Sequence, residues 1–374
     1  MNRLQEIEFK HEQVRAILDQ HKADAMWILR TRNIAWFTAG ADASIPADSE
    51  QGVYQLLVTR DKRVVVTSNI EHPRLRDEED FESLGFEFQV YDWYGMHPMD
   101  NAGFSFNFLP PPPKGAQSFQ HYVIGDAMAE KELFALRTRL TDAEQIRFRA
   151  LGADAAAALD EAIRAVRPGD SEWQIAARLD AAVRARGGLA VVNLVAVDER
   201  INRFRHPLIT NKTLDKYAMI VLCMRRGGLI VAATRLAHIG SVPDDVHEKA
   251  RRVAYVDATA MVASKPGRAL SDVFDDITLA YLHVHEEGQW QHHHQGGLIG
   301  YSSRERIAKP GEMAAIQVGS ACAWNPSIVG YKSEDTILIG ENGFEIVTAV
   351  GGDFPTIRVE VGGQAVVRPG VVEV

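Results

Sequence analysis

The chain has 374 residues, with 41 Lys plus Arg against 50 Asp plus Glu for a formal net charge of −9, and 46% of its residues are apolar or aromatic. That length suits two or three domains of about 100–200 residues, and the apolar content excludes wholesale disorder. The acidic balance, spread without runs of five or six like charges, is the opposite of what a general nucleic-acid binder carries. The most apolar stretches, Met219–Met224 and Gly228–Thr234, fall far short of the roughly 18 residues of a membrane span, so neither a nucleic-acid nor a membrane partner is expected.

The opening residues, MNRLQEIEFKHEQ, are charged and lack the apolar core of a secretory signal, which predicts a cytoplasmic protein. From Glu6 to Gln20 the apolar positions follow helical spacing. Strand-like runs follow at Ala25–Leu29, Tyr54–Thr59, Arg63–Thr67 and Tyr122–Ile124, with Asp61-Lys62 as a tight turn between two of them. This reads as a first α/β domain, and the proline run within Phe106–Gly115 reads as a surface loop of it.

Thr141 with Glu144 three residues on is a capping box that starts a helix running to about Val166, so the domains are expected to be 1–140 and 141–374. After an Arg167-Pro168-Gly169 break, Ser171 caps a helix to about Arg186, and strands follow at Ala190–Val197, Ala218–Met224 and Gly228–Thr234. Beyond Pro243 the pattern recurs: a helix to about Ser264, a Lys265-Pro266-Gly267 break, a helix from Ser271 to about His285, then strands at Ala314–Ala321 and Thr336–Ile339. The second domain therefore reads as an internal duplication of a helix-helix-strand unit. Cys223 and Cys322 both lie in apolar runs, where a cysteine acts as a small buried hydrophobe rather than half of a disulfide.

Several segments together resemble one family. Ala23–Gly40, Arg205-His206-Pro207, Gly296–Gly300 (GGLIG), Ala315–Gly319 (AIQVG) and Ser333–Ile339 (SEDTILI) follow, in order and spacing, the motifs of the creatinase, aminopeptidase P and prolidase superfamily. Their counterparts there are a strand and turn, a pocket histidine, a "GHGIG" turn, a "tiEPG" strand and an "iEDtvlv" strand. The resemblance covers almost the whole chain. It implies an α/β (α+β) fold in which a smaller creatinase-like N-terminal domain precedes a pita-bread domain with internal pseudo-twofold duplication, and it implies a homodimer.

Metal-dependent members of that superfamily hold two divalent ions with two aspartates, a histidine and two glutamates. Carried over residue by residue, those positions are Val221, Ala232, Gly297, Gln317 and Glu334, so one ligand of five remains. No cofactor is therefore expected. The resemblance then implies a metal-independent, creatinase-like hydrolase cleaving an amide- or amidine-type carbon–nitrogen bond in a small polar molecule, with His206 as general acid/base, Glu334 orienting water or a cationic group, and His293 beside them. Histidine suits the shuttle because it titrates near neutral pH. Gln317, Asn325, Trp324, Arg304, Arg235 and Lys332 are the expected substrate-binding residues, with His238, Tyr331, Asp198 and Glu199 behind them.

The run Gln291-His292-His293-His294-Gln295 is the most unusual feature. Strand alternation would send His293 into the pocket and His292 and His294 away from it. One alternative is an Xaa-Pro or small-peptide metallopeptidase with a single Mn, Co or Zn ion on a rebuilt site of His292, His294 and Glu334 or His206. A second alternative is a catalytically inactive module that binds a peptide or protein.

Overall fold

Asn2 opens the first helix: its side chain accepts from Gln5 N (2.9 Å), and the Gln5 side chain accepts in return from Asn2 N (3.0 Å). This reciprocal cap starts α1 (Arg3–His21), which Lys22 stops in the left-handed conformation. The computed structural model describes residues 1–46, 48–95 and 122–374, in two compact units, Met1–Arg137 and Thr138–Val374. The expected Phe106–Gly115 loop lies outside the described residues.

In the first unit α1 is followed by β1 (Ala25–Arg30), α2 (Thr31–Phe37), β2 (Gln51–Thr59), β3 (Arg63–Ser68), α3 (His72–Asp77), β4 (Glu87–Tyr91), β5 (Val123–Gly125) and α4 (Glu130–Arg137). The strands form one sheet in the order β4-β3-β2-β1-β5. β1, β2 and β3 pair antiparallel, while β4 and β5 join the edges in parallel. Trp27, Leu57, Val64 and Val66 pack as one apolar cluster of this sheet.

The second unit begins with the expected capping box. Thr141 N donates to Glu144 (2.7 Å) and Glu144 N to Thr141 Oγ1 (3.2 Å), starting α5 (Asp142–Arg164). Ser171 and Gln174 do the same for α6 (Glu172–Ala185). Then come β6 (Leu189–Val197), α7 (Glu199–Arg203), β7 (Tyr217–Arg226) and β8 (Leu229–His238). A second helix pair, α8 (Asp244–Ala263) and α9 (Leu270–His283), leads to a 3-10 turn at Gln289–His292 and to β9 (Gly296–Ile299), β10 (Arg306–Ile307), β11 (Ala321–Trp324), β12 (Ser327–Ile328), β13 (Tyr331–Lys332), β14 (Asp335–Gly340) and β15 (Gly343–Ile346). The chain ends in β16 (Thr356–Val361), β17 (Gln364–Pro369) and β18 (Val371–Glu373). A helix pair followed by an antiparallel sheet thus occurs twice, as the sequence predicts.

The two large sheets have the orders β18-β8-β7-β6 and β10-β9-β11-β14-β15. They meet where Thr234 N donates to Glu334 O (3.0 Å) and where Thr336 Oγ1 accepts from Ala232 N (2.8 Å) and donates to Ala232 O (2.9 Å). One strand differs from expectation. Residues 314–320 make only an isolated bridge, Ala315 to Ala269, and then turn, with Ser320 N bonded to Gln317 O (3.0 Å) and Gly319 at φ +86°; the strand forms after that turn, at Ala321. Among the described residues no helix is long and apolar enough to cross a membrane. Both cysteines are buried and free, and burial pushes each thiol up to about 12.

Candidate functional site

Glu334 sits at the junction of the two sheets, between β13 and β14, and is buried. Its Oε1 accepts from Arg304 Nη2 (2.9 Å), and its Oε2 accepts from Lys332 Nζ (2.9 Å) and Thr234 Oγ1 (2.8 Å). Burial alone would raise its pKa. The charges of Lys332 and Arg304 outweigh that, with the hydrogen bonds from Lys332 and Thr234 added, and hold the carboxyl at about 2. Glu334 is therefore a fixed anion between two cations, and each of its oxygens already has a cationic partner.

Arg235, expected to bind substrate, faces the other way. It is fully buried and donates to Asp335 Oδ1 (2.9 Å), Thr348 O (2.6 Å) and Thr234 O (2.7 Å). Arg368 bonds Asp335 Oδ2 (2.5 Å) and Asp257 Oδ2 (2.6 Å), and Asp257 also accepts from Ser333 Oγ (2.5 Å). Successive side chains of an extended segment point to opposite faces, so Glu334 turns to Lys332, Arg304 and Thr234 and Asp335 to this buried network. Burial pushes Asp257 up to about 6 even though Arg368 pulls it down.

The imidazoles form the second part of the site. His206 lies on the loop after α7 and is exposed. Neighbouring Arg205 anchors that loop, donating to Gln289 Oε1 (2.7 Å) and to Ile328 O. His293 is buried, and its Nε2 lies 2.9 Å from His206 Nε2. His294 stacks on His293 with centroids 4.5 Å apart and planes at 25°, and its centroid is 5.8 Å from that of His206.

The expected alternation across the triple histidine fails. His292 ends the 3-10 turn and is exposed, while His293 and His294 both join the cluster with His206. A histidine set of His292, His294 and Glu334 is accordingly not assembled: His292 stands outside, and Glu334 is taken by Lys332 and Arg304. Burial lowers the pKa of all three clustered imidazoles, reinforced by the charge of Lys332 at His206 and His293 and of Arg304 at His294; His293 falls to about 2 and His294 to about 4. The cluster is neutral at pH 7. His293 Nδ1 and His294 Nδ1 are buried without a hydrogen-bond partner.

Two further expected pocket residues lie elsewhere. Trp324 is fully buried in β11, and its Nε1 donates to Ser264 Oγ (2.9 Å) at the end of α8, so it belongs to the core. Gln317 is exposed on the turn before β11. Asn325, directly after β11 and before Pro326, is a buried amide; its backbone N–H donates to Gln295 O (3.0 Å), and its Oδ1 is buried without a partner. An amide followed by proline at a strand end is also the better match to the "EP" of the resembled pattern.

Of the residues behind these, His238 Nδ1 faces Gly240 O at 3.3 Å, Tyr331 donates to Pro369 O (3.3 Å), and Asp198 accepts from the N–H groups of Asp215, Lys216 and Tyr217 (2.8, 2.8 and 2.9 Å). Exposed Glu199 pairs with Lys212. Thr234 joins the site through its hydroxyl, which donates to Glu334.

The positions aligned with the five metal ligands cannot hold a pair of ions. Val221 and Ala232 are buried core side chains of β7 and β8. Gly297 has φ +151°, and a Cβ there would lie 2.1 Å from Arg306 O, so the backbone excludes any side chain. Asn325 and Gln317 are neutral amides, and Glu334 is occupied.

Two family models match the chain: "Creatinase/Prolidase N-terminal domain" over residues 10–110 and "Metallopeptidase family M24" over residues 147–341. No curated protein sequence matches it. Among solved structures, the prolidase from Pyrococcus horikoshii OT3 is similar with a TM-score of 0.72 at 17% identity, covering 92% of this chain and 99% of that one. The Xaa-Pro dipeptidase from Bacillus anthracis gives 0.69 at 18%, covering 93% and 99%. The N-terminal domain of FACT complex subunit SPT16 from Cicer arietinum gives 0.63 at 11%, covering 93% and 96%. At these identities the likeness is one of fold.

Proposed function

Because the chain belongs to metallopeptidase family M24, we propose that it is a hydrolase of a carbon–nitrogen bond in a small polar molecule or small peptide, and that it works without the two-ion centre its relatives' ligand positions would build. The observation that carries this reading is the contact of His206 Nε2 with His293 Nε2 at 2.9 Å. One nitrogen of that pair donates and the other accepts, so a proton taken up at His206 has a defined neighbour, and partial desolvation of the ring together with Lys332 lowers its pKa and keeps it able to act as a base.

Glu334 then acts through its cations. Held ionised, it fixes Lys332 and Arg304 near the histidines, and the N–H groups they do not spend on Glu334 would hold a substrate oxygen as charge develops on it. Asn325 adds a neutral amide to the wall. A cytoplasmic homodimer belongs to the same reading and rests on the resemblance alone.

The test is turnover of chelator-treated protein against a panel of Xaa-Pro dipeptides and of ureido and guanidino acids. We expect activity that survives the chelator and falls 100-fold or more in His206→Ala, on the order of general acid–base contributions, with the circular dichroism unchanged. Unchanged turnover in that variant overturns the assignment. A specific observation favours a second reading, hydrolysis of small peptides with one ion: three imidazoles converge in the pocket. Activity that vanishes with the chelator and returns with one equivalent of metal supports it. The absence of turnover on every substrate favours a binding module, a role compatible with the likeness to a FACT complex subunit domain.

A further inference from the structure

His206, His293 and His294 each offer one ring nitrogen, and the three atoms all lie within 4.8 Å of one another. Two segments 87 residues apart bring them together. We propose that these three histidines form a binding site for a single divalent transition ion of the imidazole-preferring class, zinc above all, at residues other than those that hold the metal pair in the family.

Three features of the cluster point to an ion. The first is unfulfilled bonding: His293 is 8% exposed, yet its Nδ1 and that of His294 are buried without a partner. A buried polar atom left in that state costs about 1–3 kcal/mol, and an ion bound through His294 Nδ1 removes that ring's deficit. The second is spacing. Two imidazole nitrogens on a tetrahedral zinc stand about 3.3 Å apart, from Zn–N distances of about 2.0–2.1 Å; His206 Nε2 and His293 Nε2 are at 2.9 Å, so side-chain rotation, chiefly at His294, closes the set. The third is ligand type. With Glu334 tied to Lys332 and Arg304, the cluster offers nitrogen alone, which suits zinc, copper or nickel and disfavours magnesium, calcium or manganese.

Each ring in its neutral form has one nitrogen lone pair to offer an ion. Three histidines leave a fourth position open, as catalytic zinc sites do. Lys332 and Arg304 carry one positive charge more than Glu334 offsets, which works against a dication and is relieved when an anion takes the open position. The inference rests on the cluster and stands whichever bond is cleaved. It deepens the one-ion reading, in which an ion on His206 Nε2 takes the place of that ring's role as general base.

The test uses the full chain, stripped with chelator and titrated with zinc in competition with a chromophoric chelator, alongside His293→Ala, His294→Ala and His292→Ala. One zinc per chain is expected, with affinity reduced more than about 100-fold in the first two variants, beyond the 10–100-fold that loss of a supporting group costs, and unchanged in His292→Ala. Cobalt(II) added to the unmodified chain provides a readout that needs no variant: the intense visible bands of a four-coordinate nitrogen site are expected. No bound zinc, binding that survives both His293→Ala and His294→Ala, binding lost in His292→Ala, or only the weak bands of six-coordinate cobalt overturns the proposal. These are binding readouts, so their failure leaves the hydrolase reading standing, and failure of His206→Ala to alter turnover leaves the site standing.

Discussion

Lys332 and Glu334, two residues apart on an extended segment, lie on the same face, and their ammonium and carboxylate meet at 2.9 Å with both side chains at 5% exposure or less. A pair this dry behaves differently from a surface ion pair. Removing one partner of a buried pair costs about 3–5 kcal/mol, because a charge is left without compensation; here Arg304 remains on the other oxygen, so Lys332→Met is expected to cost less, about 1–3 kcal/mol in urea unfolding. The double variant Lys332→Met, Glu334→Gln should recover part of that loss. Additive costs in the double-mutant cycle would contradict the pairing.

The pH dependence of stability follows from opposite shifts. His293 and His294 have folded pKa values below 6.5, at about 2 and about 4, so the unfolded chain binds more protons and stability falls as pH drops below 6.5. Each such group contributes a slope of at most about 1.4 kcal/mol per pH unit. Glu334, depressed from 4.5 to about 2, adds a loss that begins near pH 4.5 and continues as pH falls through its folded value. Asp257, raised from 3.8 to about 6, works against them: its contribution is full below 3.8 and is lost as pH rises through 6. Denaturant melts from pH 7 to 4 should show declining stability that flattens in His294→Ala; a profile identical to the unmodified chain would contradict the burial of that ring.

Gly297→His restores the residue type the family carries at that position, and it should nevertheless fail to create the family's site. A Cβ there meets Arg306 O at 2.1 Å and the backbone sits at φ +151°. The strained backbone alone costs about 1–3 kcal/mol, so a lowered melting temperature with no gain in manganese or cobalt binding is expected. A stable variant that takes up two ions would overturn the register of β9 against β10.

Trp324→Phe separates a core role from a pocket role. The indole N–H bond to Ser264 is lost, at about 1 kcal/mol, with KM and kcat unchanged on any substrate found. A change in KM at unchanged stability would return Trp324 to the pocket wall.

Much of this architecture is legible in the amino-acid order because it rests on local signals. Thr141 with Glu144 and Ser171 with Gln174 are caps readable within four residues, and they start α5 and α6 as expected. His206, His293 and Glu334 can be singled out as polar residues in segments that resemble a family. What they face depends on contacts across the chain: Arg235 and Arg304 are equally plausible partners for Glu334 on paper, and strand polarity sends one to Asp335 and the other to Glu334. The Gln317 assignment fails because a turn at Gly319 delays the strand, leaving Asn325 as a buried amide. The exclusion of a side chain at Gly297 has no local signature, since it arises from the approach of β10.

The bond between Glu334 and Asp335 also marks a boundary in electrical terms. On one side Asp257, Asp335, Arg235 and Arg368 form a quartet of equal and opposite charges; on the other, one carboxylate faces two cations. The quartet is silent at a distance, whereas the trio keeps one positive charge in excess beside the histidines. One peptide bond thus separates neutral masonry from a point of net positive charge, and small carboxylates should inhibit more strongly as ionic strength is lowered.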